Sequence, residues 1–253
     1  MGAGYNRLLL MVGLAARAAH AGIALGDFGG SLGVTSDDIY HGISLTCGDP
    51  AAQGDLHYRS SGGQTQSEAF AGVWASAGLG PSYCGKAREV NAYAGYSVAL
   101  GGDSSAALTY THYGYPGGGY TLRPLDGYRY DYDALEAQWA WQDQVYLTIA
   151  WTPDAVRFAD YIPQRDRSAL SYGLQLHHPL RAGFSLSAGV GYDEIAIPFG
   201  TGTGYCFWDA GLGYTLGPVQ LEADYVGTSS RALSVFGSRV AGSRAVVSAV
   251  WHF

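Results

Sequence analysis

Apolar and polar positions alternate with a period of two through most of the chain, most clearly in its second half. Leu135, Ala137, Trp139 and Trp141 share one face, with Glu136 and Gln138 on the other. After a tight Gln142-Asp143-Gln144 turn, Val145, Leu147, Ile149 and Trp151 repeat the pattern. Leu170, Tyr172, Leu174 and Leu176 alternate with Ser171, Gly173, Gln175 and His177. Phe184, Leu186, Ala188, Val190 and Tyr192 alternate with Ser and Gly. Trp208, Ala210, Leu212, Tyr214 and Leu216 oppose Asp209, Gly211, Gly213 and Thr215, and Val219, Leu221, Ala223 and Tyr225 oppose Gln220, Glu222 and Asp224. Counted back from Phe253, residues Trp251, Ala249, Val247 and Ala245 are apolar, with Ser248 and His252 between them. One such run describes any half-buried strand. Six in succession and a seventh at Phe253 predict a sheet with one continuous apolar face. In the noisier first half, strands are expected near 32–45, 52–60, 68–77, 89–100 and 105–115, which brings the total to about twelve.

The spacers carry independent information. Short ones are Gly101-Gly102-Asp103, the Gln142 turn, Pro179 to Gly183, and Gly217-Pro218; long ones fall roughly at 78–88, 116–133, 153–168, 193–205 and 227–243. Short turns at one rim and long loops at the other are the habit of transmembrane barrels. Two spacers fit poorly: 61–67 is long and 46–51 is short for the scheme. An unpaired backbone group in hydrocarbon costs several kcal/mol, so such a sheet must close on itself. The expected fold is therefore all-β, a transmembrane antiparallel up-and-down β-barrel of about twelve strands. Aromatics fall near strand ends, where interface girdles belong: Trp141, Trp151, Tyr192, Trp208, Tyr225, Trp251 and Phe253. A soluble sandwich or lipocalin-like barrel would instead turn its apolar face inward and carry more charge outside.

Composition agrees with the membrane reading. The 253 residues include 38 Gly and 20 Tyr but only 14% charged residues, and mean hydropathy is near zero. Opposed faces cancel in the average, as in a barrel. The net charge of −7 excludes a nucleic-acid partner on electrostatic grounds. Residues 1–21 read as a secretory signal: Arg7, then the apolar run from Leu8 to Ala16, then Ala19-His20-Ala21 as a small-x-small cleavage site. The run is shorter than the ~18 apolar residues of a spanning helix. Residues 22–253 are then the barrel, and the absence of Cys at the cut argues against a lipoprotein anchor. The expected location is the outer membrane of a Gram-negative bacterium. The expected partners are its lipids and, during insertion, the barrel-assembly machinery reading the last strand.

A family resemblance enters at Val34-Thr35-Ser36-Asp37, Gly42-Ile43-Ser44, Gly48-Asp49-Pro50-Ala51 and Gln53-Gly54. With Gly72-Val73-Trp74-Ala75-Ser76, Tyr93-Ala94-Gly95-Tyr96 and Thr152-Pro153-Asp154, the chain resembles the proteobacterial TorF-type porin family, conserved outer-membrane proteins of unknown function. The resemblance implies an outer-membrane barrel and a porin role, and supplies no catalytic or ligand residues. At Asp38-Ile39-Tyr40-His41 the chain departs from it, since relatives often interleave aromatics with Arg there.

The polar strand faces would line the lumen, which makes Glu136, Gln138, Gln175, His177, Asp209, Gln220, Glu222 and Asp224 the candidate pore-lining residues. The set is acidic, so cations or neutral polar solutes are favoured over anions. The competing reading is a lumen too narrow to conduct, its acids paired with Arg, since twelve strands fall between filled and open barrels. Cys47, Cys84 and Cys206 lie at the expected outer end; Cys47–Cys84 is the favoured disulfide, the sequence does not choose among the three pairings, and an arrangement with all free or one fortuitous is equally open. No cofactor is expected. No metal is expected either, because the cysteines are widely spaced and His177-His178 would point to opposite faces of a strand.

The Tyr-rich loop from Tyr115 to Asp133 reads as a surface loop, with sugar stacking or pore constriction as the alternative. Some outer-membrane barrels are hydrolases, but no nucleophile elbow or lipase-like Ser–His arrangement is recognisable, so no enzymatic activity is expected. A structural or adhesive barrel acting through its loops is the alternative to a diffusion channel.

Overall fold

A computed structural model of the chain describes residues 27–60, 67–81, 88–116, 131–159, 162–194 and 204–253. The expected signal segment, 1–21, lies outside them. Fourteen strands follow in order: β1 (Asp27–Thr35), β2 (Ile39–Tyr40), β3 (Ile43–Ser44), β4 (Ala51–Arg59), β5 (Ser67–Gly78), β6 (Arg88–Gly101) and β7 (Ser104–Gly114), then β8 (Tyr132–Trp141), β9 (Val145–Ala159), β10 (Ile162–Pro179), β11 (Phe184–Asp193), β12 (Tyr205–Leu216), β13 (Val219–Thr228) and β14 (Arg244–His252). Two short helices, α1 (Ser230–Phe236) and α2 (Ser238–Ala241), sit between β13 and β14. All strands except β2 and β3 form one closed antiparallel barrel of twelve, each paired with its sequence neighbours.

Closure falls between β1 and β14, with Leu32 opposite Trp251 and Val34 opposite Ala249. Beyond the ladder, Gly30 and Phe253 exchange two backbone hydrogen bonds of 3.0 Å. A Cβ at Gly30 would lie 2.7 Å from the Phe253 ring, so glycine leaves room for the aromatic to cross the seam. Two of the described turns at this rim are tight two-residue reversals. Gly102 and Asp103 (φ 59° and 61°), and Gln142 and Asp143 (φ 53° and 52°), are consecutive left-handed pairs that match the right-handed twist of their hairpins.

The apolar face of the barrel is its outside. Leu32, Val34, Leu56, Val73, Leu108, Leu147, Ile149, Val190, Leu212 and Val247 are all exposed, while alternate residues such as Thr109, Glu136, Gln138, Thr148 and Asp209 are buried. A soluble barrel would have the opposite arrangement. Each outward Leu, Ile or Val gains about 1.5–3 kcal/mol in an apolar surround, so this surface calls for lipid. The barrel strands, from 9 residues in β1 to 18 in β10, are long enough to cross a bilayer core when tilted. Aromatics ring both ends of the apolar band. Trp141, Phe184, Trp251 and Phe253 lie toward the tight-turn rim, and Trp151, Trp208 and Tyr225 toward the other; all seven are exposed.

The structure corrects three expectations. The first barrel strand is 27–35, not 32–45, and residues 36–50 form the first long connection, which carries the separate β2–β3 hairpin. This removes the misfit of a short spacer at 46–51. The stretch 153–168 is mostly strand, because β9 and β10 extend past the neighbouring strands, with register shifts between Gln164 and Ala169. The connection 229–243 is helical over α1 and α2. Most of the Tyr-rich loop, residues 117–130, lies outside the described residues.

Candidate functional site: the barrel interior

All eight predicted pore-lining residues occupy inward positions. On β8, Glu136 and Gln138 are buried between the outward Leu135, Ala137 and Trp139. On β13, Gln220, Glu222 and Asp224 are half-buried and alternate with the outward Leu221, Ala223 and Tyr225. Gln175 and His177 on β10 and Asp209 on β12 complete the set. Several of them meet across the small residues of β11. Gln175 Nε2 donates to Asp209 Oδ2 at 3.1 Å, and both side chains lie over Gly189, where a Cβ would collide with each. Asp224 lies over Gly211 beside Ser187 in the same manner, and Gln220 Nε2 donates to Glu222 Oε1 at 2.8 Å. Ser185, Ser187, Gly189 and Gly191 thus keep one wall thin and let polar groups from β10, β12 and β13 form one band. Glu136 and Gln138 stand apart from it, since β9 intervenes with Thr148 and Ala150 inward. His177 and His178 face opposite sides, and His178 Nδ1 lies 3.2 Å from Gln144 Oε1 at the tight-turn rim. Among the described residues no group of His, Cys, Asp and Glu is arranged to hold a metal.

The opposite wall carries polar residues that were not singled out from the sequence. Asp55 on β4 lies 2.5 Å from His57 Nδ1 and accepts from Tyr93 Oη at 2.8 Å. Tyr93 reaches it from β6 across Gly72 of β5. Glu89 and Asn91 are buried next along β6, with Asn91 Nδ2 donating to Glu89 Oε1 at 2.7 Å. The alternation Gln53, Asp55, His57, Arg59 against Ala52, Gly54, Leu56, Tyr58 was the available signal. Two inward arginines are tied to acids, Arg59 to Glu68 at 3.6 Å and Arg244 to Asp37 at 2.8 Å. Ser31 faces inward opposite both Asp55 and His252. Asp55 Oδ1 meets His57 Nδ1 and Asp55 Oδ2 accepts from Tyr93, but among the described residues no hydrogen bond joins Ser31 to either histidine, so the Ser–His link of a relay is not made there. The Gly29 to Gly33 stretch has Gly-x-Ser-x-Gly spacing, but it runs straight through β1 and makes no strand-to-helix elbow.

Residues 36–50 fold across one mouth of the barrel. Tyr40 pairs with Ile43, and His41 and Gly42 make the turn at φ 44° and 74°. Asp37 organises the segment: its Oδ1 accepts from Ser44 Oγ at 2.6 Å, Thr46 Oγ1 at 2.8 Å and Gly48 N at 3.3 Å. The contacts to the wall are widely separated. Arg244 Nη1 of β14 donates to Asp37 Oδ2 at 2.8 Å, and Ser76 Oγ of β5 donates to Asp38 Oδ2 at 2.5 Å. His41 Nδ1 lies 2.9 Å from Asp193 Oδ2 at the end of β11, and its ring stacks on Phe207 of β12 at 4.4 Å. Gly42 abuts the β13 backbone at Gly227. Ile43 packs with Tyr205, Phe207, Ala232 and Ala241. A segment touching the inner faces of β5, β11, β12, β13 and β14 must lie inside the mouth. Its sequence signal was an X-Gly pair, His41-Gly42, between Ile39-Tyr40 and Ile43-Ser44. Cys47, in the same segment, is disulfide-bonded; Cys206 is free, and Cys84 lies outside the described residues.

Residues 20–253 match the family described as bacterial protein of unknown function, Gcw_chp. The chain belongs to this family. No curated protein matches it. Among solved structures, this Gcw_chp member superposes on a membrane protein from a study of in-meso crystallization with a TM-score of 0.57, at 9% identity over 90% of this chain and 83% of the other. An outer membrane channel from Pseudomonas putida F1 gives 0.51 at 12% identity, covering 92% and 97%. The monoaromatic hydrocarbon channel CymD gives 0.50 at 11%, covering 100% and 94%. At these identities the likeness is one of fold: the family member shares the closed barrel of outer-membrane channels.

Proposed function

We propose that this protein is a channel of the Gram-negative outer membrane that passes small hydrophilic solutes by diffusion, with a preference for cations. The observation that carries the reading is the inside-out barrel, a closed wall with an apolar exterior and carboxylates facing inward. Glu136, Asp209, Glu222 and Asp224 face the lumen, while the inward Arg59 and Arg244 are each held by an acid. Rings of carboxylates favour cations in a narrow pore. The resemblance to TorF-type porins points the same way. CymD is a monoaromatic hydrocarbon channel, and passage of apolar solutes would need an apolar path, which these inward acids oppose. The transport neighbours fit a non-enzymatic role. On this reading the tight-turn rim faces the periplasm and residues 36–50 face outward. The test is insertion of purified, heat-modifiable protein into planar bilayers. Stepwise current increments are expected, and a silent bilayer with correctly folded protein would overturn the proposal.

A further inference from the structure

We propose that residues 36–50 form the constriction of this channel, and that the Asp37–Arg244 ion pair is the latch that holds them across the lumen; the inference rests on the channel reading above. The β2–β3 hairpin lies outside the barrel ladder: backbone hydrogen bonds tie the ends of the segment to the wall, Ser36 N to the Val247 carbonyl at 2.9 Å and Leu79 N to the Pro50 carbonyl at 2.7 Å, while side chains and an edge contact at Gly227 hold the part between. It reaches from Ser76 on β5 to Asp193 on β11, so solute entering that mouth must pass beside it. The Cys47 disulfide tethers its C-terminal part and Ile43 has an apolar seat, but the anchors of Asp37, Asp38 and His41 to the wall include polar contacts that water can replace once the hairpin tip swings out.

Asp37 is where the internal fold of the segment and its attachment meet. One carboxylate oxygen holds Ser44, Thr46 and Gly48 in place, and the other takes the Arg244 guanidinium. The Asp37 side chain is only 4% exposed, whereas Arg244 is 18% exposed. Arg244 is itself positioned by Nε to the Gly242 carbonyl at 3.1 Å and Nη2 to the Arg239 carbonyl at 3.0 Å. The connection carrying α1 and α2 therefore presents the guanidinium to the hairpin. Removing that cation strands a buried carboxylate, and the nearest relief is for the hairpin to leave the wall and hydrate Asp37. Arg244 is a positioning residue in this scheme. A lysine there keeps the charge but loses the planar fork that serves the carboxylate and the two carbonyls together.

The experiment compares single-channel currents and liposome swelling with sugars of graded size for four proteins: wild type, Arg244→Ala, Arg244→Lys, and a variant with residues 39–44 replaced by Gly-Ser. Folding of each is checked by heat-modifiable migration. The shortened hairpin should give a several-fold larger unitary conductance and admit larger sugars. Arg244→Ala should flicker between the wild-type level and that larger level, and Arg244→Lys should return most of the time to the wild-type level. Equal conductance and equal size limit for wild type and the shortened variant would overturn the constriction while leaving the channel reading intact. Silence of both would overturn the two together. A steady wild-type current from Arg244→Ala would overturn the latch.

Discussion

Gly42→Ala tests whether the hairpin is seated in the mouth without touching any charge. Gly42 has φ +74°, and a Cβ there would lie 2.5 Å from Thr228 Cγ2 and 2.7 Å from the Gly227 carbonyl oxygen. The left-handed conformation costs a non-glycine residue about 1–2 kcal/mol. The crowding adds roughly 1–3 kcal/mol, because a carbonyl in the β13 ladder cannot turn aside as a side-chain end can. The sum, about 2–5 kcal/mol, at ~1.4 kcal/mol per tenfold, raises the unseated population between roughly thirty- and a few thousandfold. Gly48→Ala is the control. It has φ +86° with nothing within 4 Å of the added Cβ, so it carries only the backbone cost. Hydrogen exchange followed by mass spectrometry reads both, with β9 and β12 peptides as the internal reference. Peptides over 37–48 should lose protection strongly in Gly42→Ala and weakly in Gly48→Ala, with the barrel unchanged. Equal loss in the two variants, or none in either, would refute the seating of the hairpin against β13.

The other predictions concern the wall, the disulfide and the seam. Ile149→Arg places a charge on the lipid face of β9 and should cost about 2–4 kcal/mol in urea unfolding from vesicles, whereas Thr148→Arg, one residue away and inward, should cost much less. Cys47→Ser should loosen residues 36–50, seen as faster exchange there. Mass mapping of the wild type should find Cys47 joined to Cys84 with Cys206 alkylatable; a Cys47–Cys206 bridge would contradict that pairing. Deleting Phe253 removes its two hydrogen bonds to Gly30 across the seam and its ring contact with Trp251 on the same strand, so assembly into membranes should slow; unchanged insertion kinetics would argue against that role.

The barrel was legible because a membrane strand writes its two solvents into alternate residues. In the middle of β8 and β13 the polar Glu136 and Gln138, and Gln220, Glu222 and Asp224, alternate strictly with apolar residues, so both strands and their inward acids were readable directly. The first strand was misplaced because Gly29, Gly30, Ser31 and Gly33 give its inner face and seam little polarity contrast. The alternation of Ile39 to Ser44 then looked like its continuation. Period two identifies a strand but not the sheet it joins, so the β2–β3 hairpin was absorbed into the wall. The pairings inside the lumen were illegible for a related reason. Tyr93 with Asp55, or Arg244 with Asp37, are set by shear and by glycine gaps such as Gly72, which a linear pattern does not encode.

The most direct measurement of the central claim is the reversal potential of reconstituted protein in a gradient of potassium chloride, for wild type and for Asp209→Asn/Glu222→Gln/Asp224→Asn. A carboxylate-lined channel predicts cation selectivity in the wild type and a clear shift toward nonselectivity in the neutralised barrel, with both proteins folded. Anion selectivity in the wild type, or a reversal potential that the three neutralisations leave unmoved, would contradict it.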